Sequence, residues 1–207
     1  MRYLEFKEAL KDFAVFSLGD IRRIDPDFYG PRLNEWQKKK YLKKLIRGFY
    51  VFSDLPVDEG ILFEISNKIY APSYVSLQMA LSYYGLIPES VYGITAIAAR
   101  KTSRFKTPLA EFVFRSVKTE MFFGYDLIEH RGRHFKIASP EKALLDYLYL
   151  NPLIRAKADF TGLRINRESF STRIDRRLFV NYARRCWQAR LSDQAESFLE
   201  FIDHARS

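Results

Sequence analysis

The segment PRLNEWQKKKYLKKLIRGFYVF, residues 31–52, holds the clearest local pattern in the chain. Pro31 stands at a first-turn position, where its missing N–H costs nothing, and Leu33 and Trp36 lie one helical turn apart. Because such spacing places both apolar side chains on one face, it predicts a helix from about Pro31 to Lys39.

The second half of the same segment has strand character on both sides of Arg47-Gly48. The strand-forming residues are Tyr41, Leu42, Leu45 and Ile46 before the pair, and Phe49, Tyr50, Val51 and Phe52 after it. Glycine supplies the backbone angles that a tight turn requires, so the pattern predicts a β-hairpin. An alternative interpretation continues the preceding helix to Ile46, since Lys, Leu and Gln all favour helix.

Two shorter helices are predicted before residue 31. The first is about ten residues long, and its apolar residues at helical spacing are Leu4, Ala9, Leu10 and Phe13. Ser17 is a natural N-cap for the second, with Asp20 three residues on and a stop at Asp25-Pro26. Helix, short helix, helix and hairpin is the order of a winged helix-turn-helix, which predicts a DNA-binding domain over residues 1–55.

The remainder, residues 56–207, is predicted to form a larger α+β domain with a mainly antiparallel sheet and C-terminal helices. Its strand-like segments are YGITAIAA (92–99), EFVFRSV (111–117), MFFGYDLIE (121–129) and HFKIA (134–138). Helices are predicted near 61–69, 76–84, 139–150, 176–188 and 192–205. Ser76 and Ser139 are the expected N-caps, and Gly85 and the turn HisArgGlyArg (130–133) are expected to end elements.

Composition narrows the possible partners. The formal net charge is +9 and the isoelectric point about 9.6, and such an excess of Lys and Arg attracts nucleic acid or an anionic membrane. Apolar runs such as residues 94–99 are too short to cross a bilayer, and the N-terminus has no signal-peptide pattern, so a cytoplasmic protein without membrane contact is expected. One cysteine, Cys186, and three scattered histidines predict neither a disulfide nor a metal site.

Positive charge is concentrated in residues 31–52, which hold seven basic residues and one acid, Glu35. Arg32 and Asn34 are of the types that read guanine and adenine edges. The residues expected to neutralise phosphates are Lys38, Lys39, Lys43, Lys44 and Arg47. The plainer alternative is that this lysine-rich stretch is simply a solvated face.

A second basic group lies in a loop-like stretch between two predicted strands and consists of Arg100, Lys101, Arg104 and Lys106. It could extend a nucleic-acid surface or bind a phosphate-bearing ligand, although an exposed connection is the simpler interpretation. For catalysis, the chain has no phosphate-binding glycine loop, HExxH, GxSxG or paired cysteines. A loose nuclease-like set consists of Asp126, Glu129, Glu141, Lys142 and Asp146. We therefore expect a protein that is not an enzyme and needs no cofactor.

Three runs carry a resemblance to a known family: IYAPSYVSLQMALSYYGLIPE (69–89), ITAIAARKTSRFKT (94–107) and FGYDLIEHRGRHFKIASPEKALLDYLYLNP (123–152). Together with LNEWQKKKYLKKLIRGFYVF (33–52) they resemble the AbiEi antitoxins of bacterial abortive-infection toxin–antitoxin systems. The resemblance covers roughly residues 1–152. One departure is Lys40, where relatives often have Gly between helix and hairpin.

This resemblance implies a two-domain transcriptional autorepressor. The winged helix would bind promoter repeats of its own operon in double-stranded DNA. The residues that would contact the DNA are Arg32, Asn34, Lys38, Lys39, Lys43, Lys44 and Arg47. The C-terminal domain would counter a nucleotidyltransferase-like toxin without forming a stable complex with it. The positions that match the family there are Ser76, Tyr84, Gly85, Ser139, Pro140, Glu141 and Asp146. From their chemistry they are caps, turns and packing residues. Two alternatives are a stand-alone transcriptional regulator and a DNA-tethered nuclease-like enzyme.

Overall fold

The computed structural model describes residues 1–88 and 93–204, and these form an α+β structure. The amino-terminal unit, residues 1–55, contains α1 (Tyr3–Ala9), β1 (Phe16–Ser17), α2 (Leu18–Ile24), α3 (Arg32–Lys38), β2 (Leu42–Ile46) and β3 (Phe49–Phe52). Its three strands pair antiparallel in the order β1-β3-β2. The predicted hairpin is confirmed, the alternative long helix is wrong, and β1 was not predicted.

Local signals account for the start of α2. The Ser17 hydroxyl accepts a hydrogen bond from the backbone N–H of Asp20, and the Asp20 carboxylate accepts one from the backbone N–H of Ser17. This reciprocal pair satisfies two of the donors that a helix start leaves open, and it confirms the predicted N-cap at Ser17. The buried stripe of the first helix agrees with the prediction at Leu10, but Phe6 also faces the core, whereas the predicted Leu4 is 78% exposed.

The second part of the chain is built on a sheet of six strands among the described residues. These are β4 (Ser73–Val75), β5 (Ile94–Ala98), β6 (Ser103–Lys106), β7 (Glu111–Ser116), β8 (Tyr125–His130) and β9 (Arg133–Ala138), in the order β6-β7-β5-β4-β9-β8. The sheet is mixed rather than mainly antiparallel, because β5 runs parallel to β7 and β4 parallel to β9. Tyr92, at the start of one predicted strand, lies outside the described residues.

Two strands of the six-stranded sheet were missed by the sequence patterns. The predicted loop around Arg104 is instead β6, an edge strand that pairs antiparallel with β7. β4 lies between β5 and β9 in the sheet and occupies the segment between the two helices predicted near 61–69 and 76–84. Both are short, and their existence depends on partners distant in sequence, so local periodicity carries little signal for them.

Helices cover the sheet and extend beyond it. They are α4 (Glu59–Ile69), α5 (Leu77–Tyr83), α6 (Pro140–Leu150), α7 (Lys157–Thr161), α8 (Arg167–Arg173), α9 (Arg176–Arg185) and α10 (Ala189–His204). A short 3-10 turn, Thr119–Met121, precedes β8. The carboxyl-terminal region thus contains more helices than the two predicted there, and Ala205, the expected end of the last one, lies outside the described residues. No helix within the described ranges is long and apolar enough to cross a membrane.

Two hydrophobic clusters hold the chain together. The smaller lies wholly within the amino-terminal unit and includes Phe6, Phe16 and Trp36. The larger contains the six-stranded sheet and its helices, and it also takes in four buried residues of the amino-terminal unit, namely Ala14, Val15, Leu45 and Val51. Because one face of the β2–β3 hairpin contributes to the larger cluster, the two predicted domains are packed against each other.

Candidate nucleic-acid interface

Helix α3 is anchored by one face and exposes the other. Leu33 and Trp36 are buried in the smaller cluster, whereas Asn34 and Lys38 are exposed. Lys40 follows the C-cap with a positive φ of 59°, and the N–H of Tyr41 donates to the carbonyl oxygen of Trp36 at 2.9 Å. This is the left-handed conformation that glycine usually supplies at a helix end, which explains why Gly would suit the position of Lys40.

The hairpin carries two adjacent exposed lysines, Lys43 and Lys44, and an irregularity follows them in its ladder. Lys44 pairs with Tyr50 and Ile46 pairs with Phe49, so one extra residue is accommodated between them in β2. Lys43 and Lys44 precede this bulge and pair regularly with Val51 and Tyr50, so their exposed side chains point to opposite faces of the hairpin.

These exposed cations form what we call the lysine surface, comprising Lys38, Lys39, Lys40, Lys43, Lys44 and Arg47. Lys39 is partly compensated, because its ammonium bonds the Glu35 carboxylate at 2.6 Å. That hydrogen bond raises the pKa of Lys39 and lowers the pKa of Glu35. Among the described residues no carboxylate lies within ion-pair distance of Lys38, Lys43, Lys44 or Arg47, so their charge is open to an external anion.

The two predicted base-reading residues stand in different surroundings. Arg32 is half-buried, and its guanidinium donates a hydrogen bond to the backbone carbonyl of Met1. Part of its hydrogen-bonding capacity therefore fastens α3 to the start of the chain. Asn34 is exposed, and its side-chain oxygen accepts a long hydrogen bond of 3.4 Å from Gln37. Asn34 is consequently the better placed of the two to meet a ligand.

Helix α2 adds basic residues that the sequence analysis did not include. Arg22 and Arg23 are exposed, and Arg23 lies 3.6 Å from the Asp20 carboxylate. Tyr29, in the connection to α3, is also exposed. Both arginines are visible in the sequence run GDIRRI, but this run lies before the basic segment, residues 31–52.

The second basic group belongs to the other sheet. Arg100 lies over the ring of Tyr70, with its guanidinium carbon 4.5 Å from the ring centre. Arg104, on β6, lies 3.5 Å from the Glu111 carboxylate of β7. Lys101 and Lys106 are exposed. These contacts occupy the two arginines within the fold, and the group lies on an edge of the six-stranded sheet, apart from the three-stranded sheet of the lysine surface.

The acidic residues of the nuclease-like set do not come together at one site. Asp126 and Glu129 are exposed on β8, whereas Glu141 accepts hydrogen bonds from the Ser139 hydroxyl at 2.9 Å and from the backbone N–H of Asp175 at 2.8 Å. The described residues contain no group of three or more His, Cys, Asp or Glu side chains placed to hold a metal ion.

Lys142 and Asp146 instead form a fully buried ion pair in α6. The Asp146 carboxylate also accepts hydrogen bonds from Tyr74 at 3.0 Å and Ser76 at 2.8 Å. Burial raises the pKa of Asp146, and the neighbouring ammonium and hydroxyl groups oppose that shift. Ser76 thus occupies the predicted N-cap position, but its side chain bonds Asp146 rather than the helix start. A pair enclosed in this way ties α6 to β4 and offers no route to a substrate.

Two comparisons with known proteins found no match. No protein-family model matches the chain, and no curated protein matches it significantly.

Proposed function

We propose that the amino-terminal unit is a winged helix-turn-helix that binds double-stranded DNA and that the protein is a transcriptional regulator. The order of helices and strands and the small antiparallel sheet agree with that fold. In such proteins the third helix enters the major groove and the hairpin lies along the DNA backbone. The observation that carries the proposal is that Lys38, Lys43, Lys44 and Arg47 are exposed and uncompensated on these two elements.

Each part of the interface has its own role in this proposal. The lysines and Arg47 neutralise phosphates and set the affinity, while Asn34 contacts base edges and supplies part of the specificity. The amino-terminal unit is held on α4 by the ion pair between Asp20 and Lys68, at 3.0 Å, and by the shared hydrophobic cluster. DNA binding therefore presents the second part of the chain at a fixed orientation to the operator.

The test is a fluorescence-anisotropy titration against DNA from upstream of the protein's own gene and against scrambled DNA, at several salt concentrations. We expect tighter binding to the upstream DNA. In the double variant Lys38→Ala/Lys44→Ala, the slope of log K against log salt should shrink by about 1.8, since each phosphate contact contributes about 0.9. Asn34→Ala should reduce the discrimination between the two DNAs more than the salt slope.

A matched control removes the same charge elsewhere. Arg115 and Lys118 are exposed and lie in and just after β7, so Arg115→Ala/Lys118→Ala should leave the salt slope unchanged. If the two double variants behave alike, or if upstream and scrambled DNA bind equally, the lysine surface is only a solvated face and the proposal is wrong.

We further propose that the regulator acts as an antitoxin, autorepressing its operon and countering a nucleotidyltransferase-like toxin through residues 56–207. Support comes from the resemblance to AbiEi antitoxins. The family-matching positions Ser76, Ser139, Glu141 and Asp146 join β4, α5, α6 and α9 through buried and part-buried hydrogen bonds, which agrees with a role in maintaining that domain.

Coexpression with the product of the neighbouring gene tests the antitoxin proposal. If that product is a nucleotidyltransferase-like toxin, the protein should restore growth, and the Lys38→Ala/Lys44→Ala variant should still restore it while failing to repress transcription from the promoter. Absence of such a neighbour, together with failure to rescue growth, would instead identify a stand-alone regulator.

A further inference from the structure

A second concentration of positive charge lies near the carboxyl end. Residues 153–190 contain ten basic residues, nine of them arginine, and only three acids. Arginine presents several N–H donors in a plane and stacks on aromatic faces, so it differs from the lysines of the amino-terminal unit in what it recognises best. The segment folds into α7, α8, α9 and the start of α10.

Helix α9 carries part of this charge on one exposed face, which we call the arginine face. Phe179 and Ala183 point into the larger cluster, and Arg177, Asn181 and Arg184 lie on the opposite side at spacings of three and four residues. Arg184 lies 3.9 Å from Glu196, but both side chains are largely exposed, so this ion pair is weak. Arg185 is exposed beside them and has its guanidinium carbon 4.3 Å from the ring centre of Phe123.

Trp187 lies just beyond the carboxyl end of α9 and has an exposed side chain. Its residue surface is 92% exposed, and its φ is +51°, just after the C-cap Cys186 of α9. Helix ends of this kind favour glycine, because a side chain strains the left-handed backbone. An exposed indole adds little packing to offset that strain. Folding alone therefore does not account for a tryptophan at this position, and a ligand that covers the ring would.

We propose that Arg177, Arg184, Arg185 and Trp187 bind a segment of single-stranded RNA. Guanidinium groups would pair with phosphates along α9, and an unpaired base would stack on the indole. A duplex hides the faces of its bases, so the exposed ring favours a single strand over the double-stranded DNA assigned to the lysine surface. The Asn181 amide, within the arginine face, both donates and accepts hydrogen bonds, as the RNA 2′-hydroxyl does.

The two tryptophans make this proposal directly measurable. Trp36 is only 5% exposed, whereas Trp187 is in water, so a base that stacks on Trp187 should quench the solvent-exposed part of the intrinsic fluorescence. We expect quenching by a 12-nucleotide single-stranded RNA of mixed sequence and weaker binding of DNA with the same sequence. With fluorescein-labelled RNA, Trp187→Gly should weaken binding roughly tenfold, the scale of one lost base–aromatic stack.

The same variant separates binding from folding. Because glycine relieves the positive φ, Trp187→Gly should keep or raise the melting temperature while it loses RNA affinity. Arg177→Ala/Arg184→Ala should weaken RNA binding and leave upstream duplex DNA binding intact. Lys43→Ala/Lys44→Ala, which removes the same charge from the lysine surface, should do the reverse. These opposite effects distinguish a failure of this proposal from a failure of the DNA-binding proposal.

Several results would overturn the RNA proposal. One is unchanged RNA binding by Trp187→Gly. Another is displacement of RNA by a poly-glutamate peptide as effectively as by unlabelled RNA, because an acidic polypeptide would then suffice. Equal affinity for single-stranded DNA of the same sequence would likewise remove the assignment to RNA, since the 2′-hydroxyl would then play no part.

Discussion

At the scale of single residues, Asp20 has more than one task. Its side chain is only 5% exposed, accepts hydrogen bonds from the backbone and hydroxyl of Ser17, and bonds the Lys68 ammonium of α4 at 3.0 Å. Burial by itself raises the pKa of Asp20, but the hydrogen bonds from Ser17 and Lys68 outweigh it, and the net shift is downward. The residue therefore both starts α2 and joins the amino-terminal unit to α4.

The lowered pKa of Asp20 predicts a specific pH dependence of stability. A carboxyl group whose pKa is lower in the folded chain stabilises it above the ordinary value of 3.8, and this contribution is lost as pH falls through the lowered pKa. Asp20→Asn should cost about 1 kcal/mol at pH 7, because the neutral amide loses the ion pair with Lys68 and accepts a weaker hydrogen bond from Ser17. It should also lose less further stability than the wild type between pH 5 and pH 3, measured by urea unfolding. Asp27→Asn, at an exposed site, should behave like the wild type.

At the scale of elements, the β2–β3 hairpin depends on its turn. Gly48 has a φ of +87°, and a Cβ there would meet no atom within 4 Å. Space is therefore available, and backbone strain alone opposes a side chain at this position. Because the turn contains Arg47 and follows the strand that carries Lys43 and Lys44, its geometry sets where these charges lie.

The variant Gly48→Ala measures the cost of this backbone strain. The left-handed conformation costs a non-glycine residue about 1–2 kcal/mol, so we expect destabilisation of that size in urea unfolding. Gly30→Ala is the matched control, because its φ lies outside the left-handed range and nothing lies within 4 Å of an added Cβ. It should be neutral or slightly stabilising. Equal effects of the two variants would show that the turn is not held in the left-handed conformation.

At the scale of the whole molecule, the two hydrophobic clusters are joined through the hairpin. Leu45 and Val51 extend from β2 and β3 into the larger cluster, while Leu42 and Phe52 of the same strands fill the smaller one. The three-stranded sheet is therefore buried on both faces near its middle. This packing leads us to expect that the amino-terminal unit and the larger domain unfold together.

Leu45→Ala tests this coupling. In the wild type, urea transitions followed by Trp36 emission and by far-ultraviolet circular dichroism should coincide, as in a two-state transition. Removal of the Leu45 side chain should cost about 2–5 kcal/mol and shift the Trp36 transition to lower urea than the circular-dichroism transition. Leu4→Ala, at a side chain that is 78% exposed, should change neither. Transitions that already differ in the wild type would contradict the proposed packing.

Local signals in the sequence were sufficient to predict a large part of the fold. The sequence predicted the Ser17 and Ser139 caps, the end of α5 at Gly85 and the hairpin turns at Gly48 and Gly132. Each depends on interactions among residues within about four positions. The composition of the lysine surface was visible for the same reason, although its function stays a proposal.

Tertiary structure decided what depends on distant partners. It buried Phe6 rather than Leu4, formed β6 along β7, and enclosed Lys142 and Asp146 with Tyr74, about seventy residues earlier. It also turned Arg32 to the Met1 carbonyl and left Trp187 in water at the end of the arginine face. The physical reason is that burial and strand pairing are properties of the assembled chain. A residue's own neighbours in sequence supply its caps and turns, but only the folded core decides which side chains it excludes from solvent.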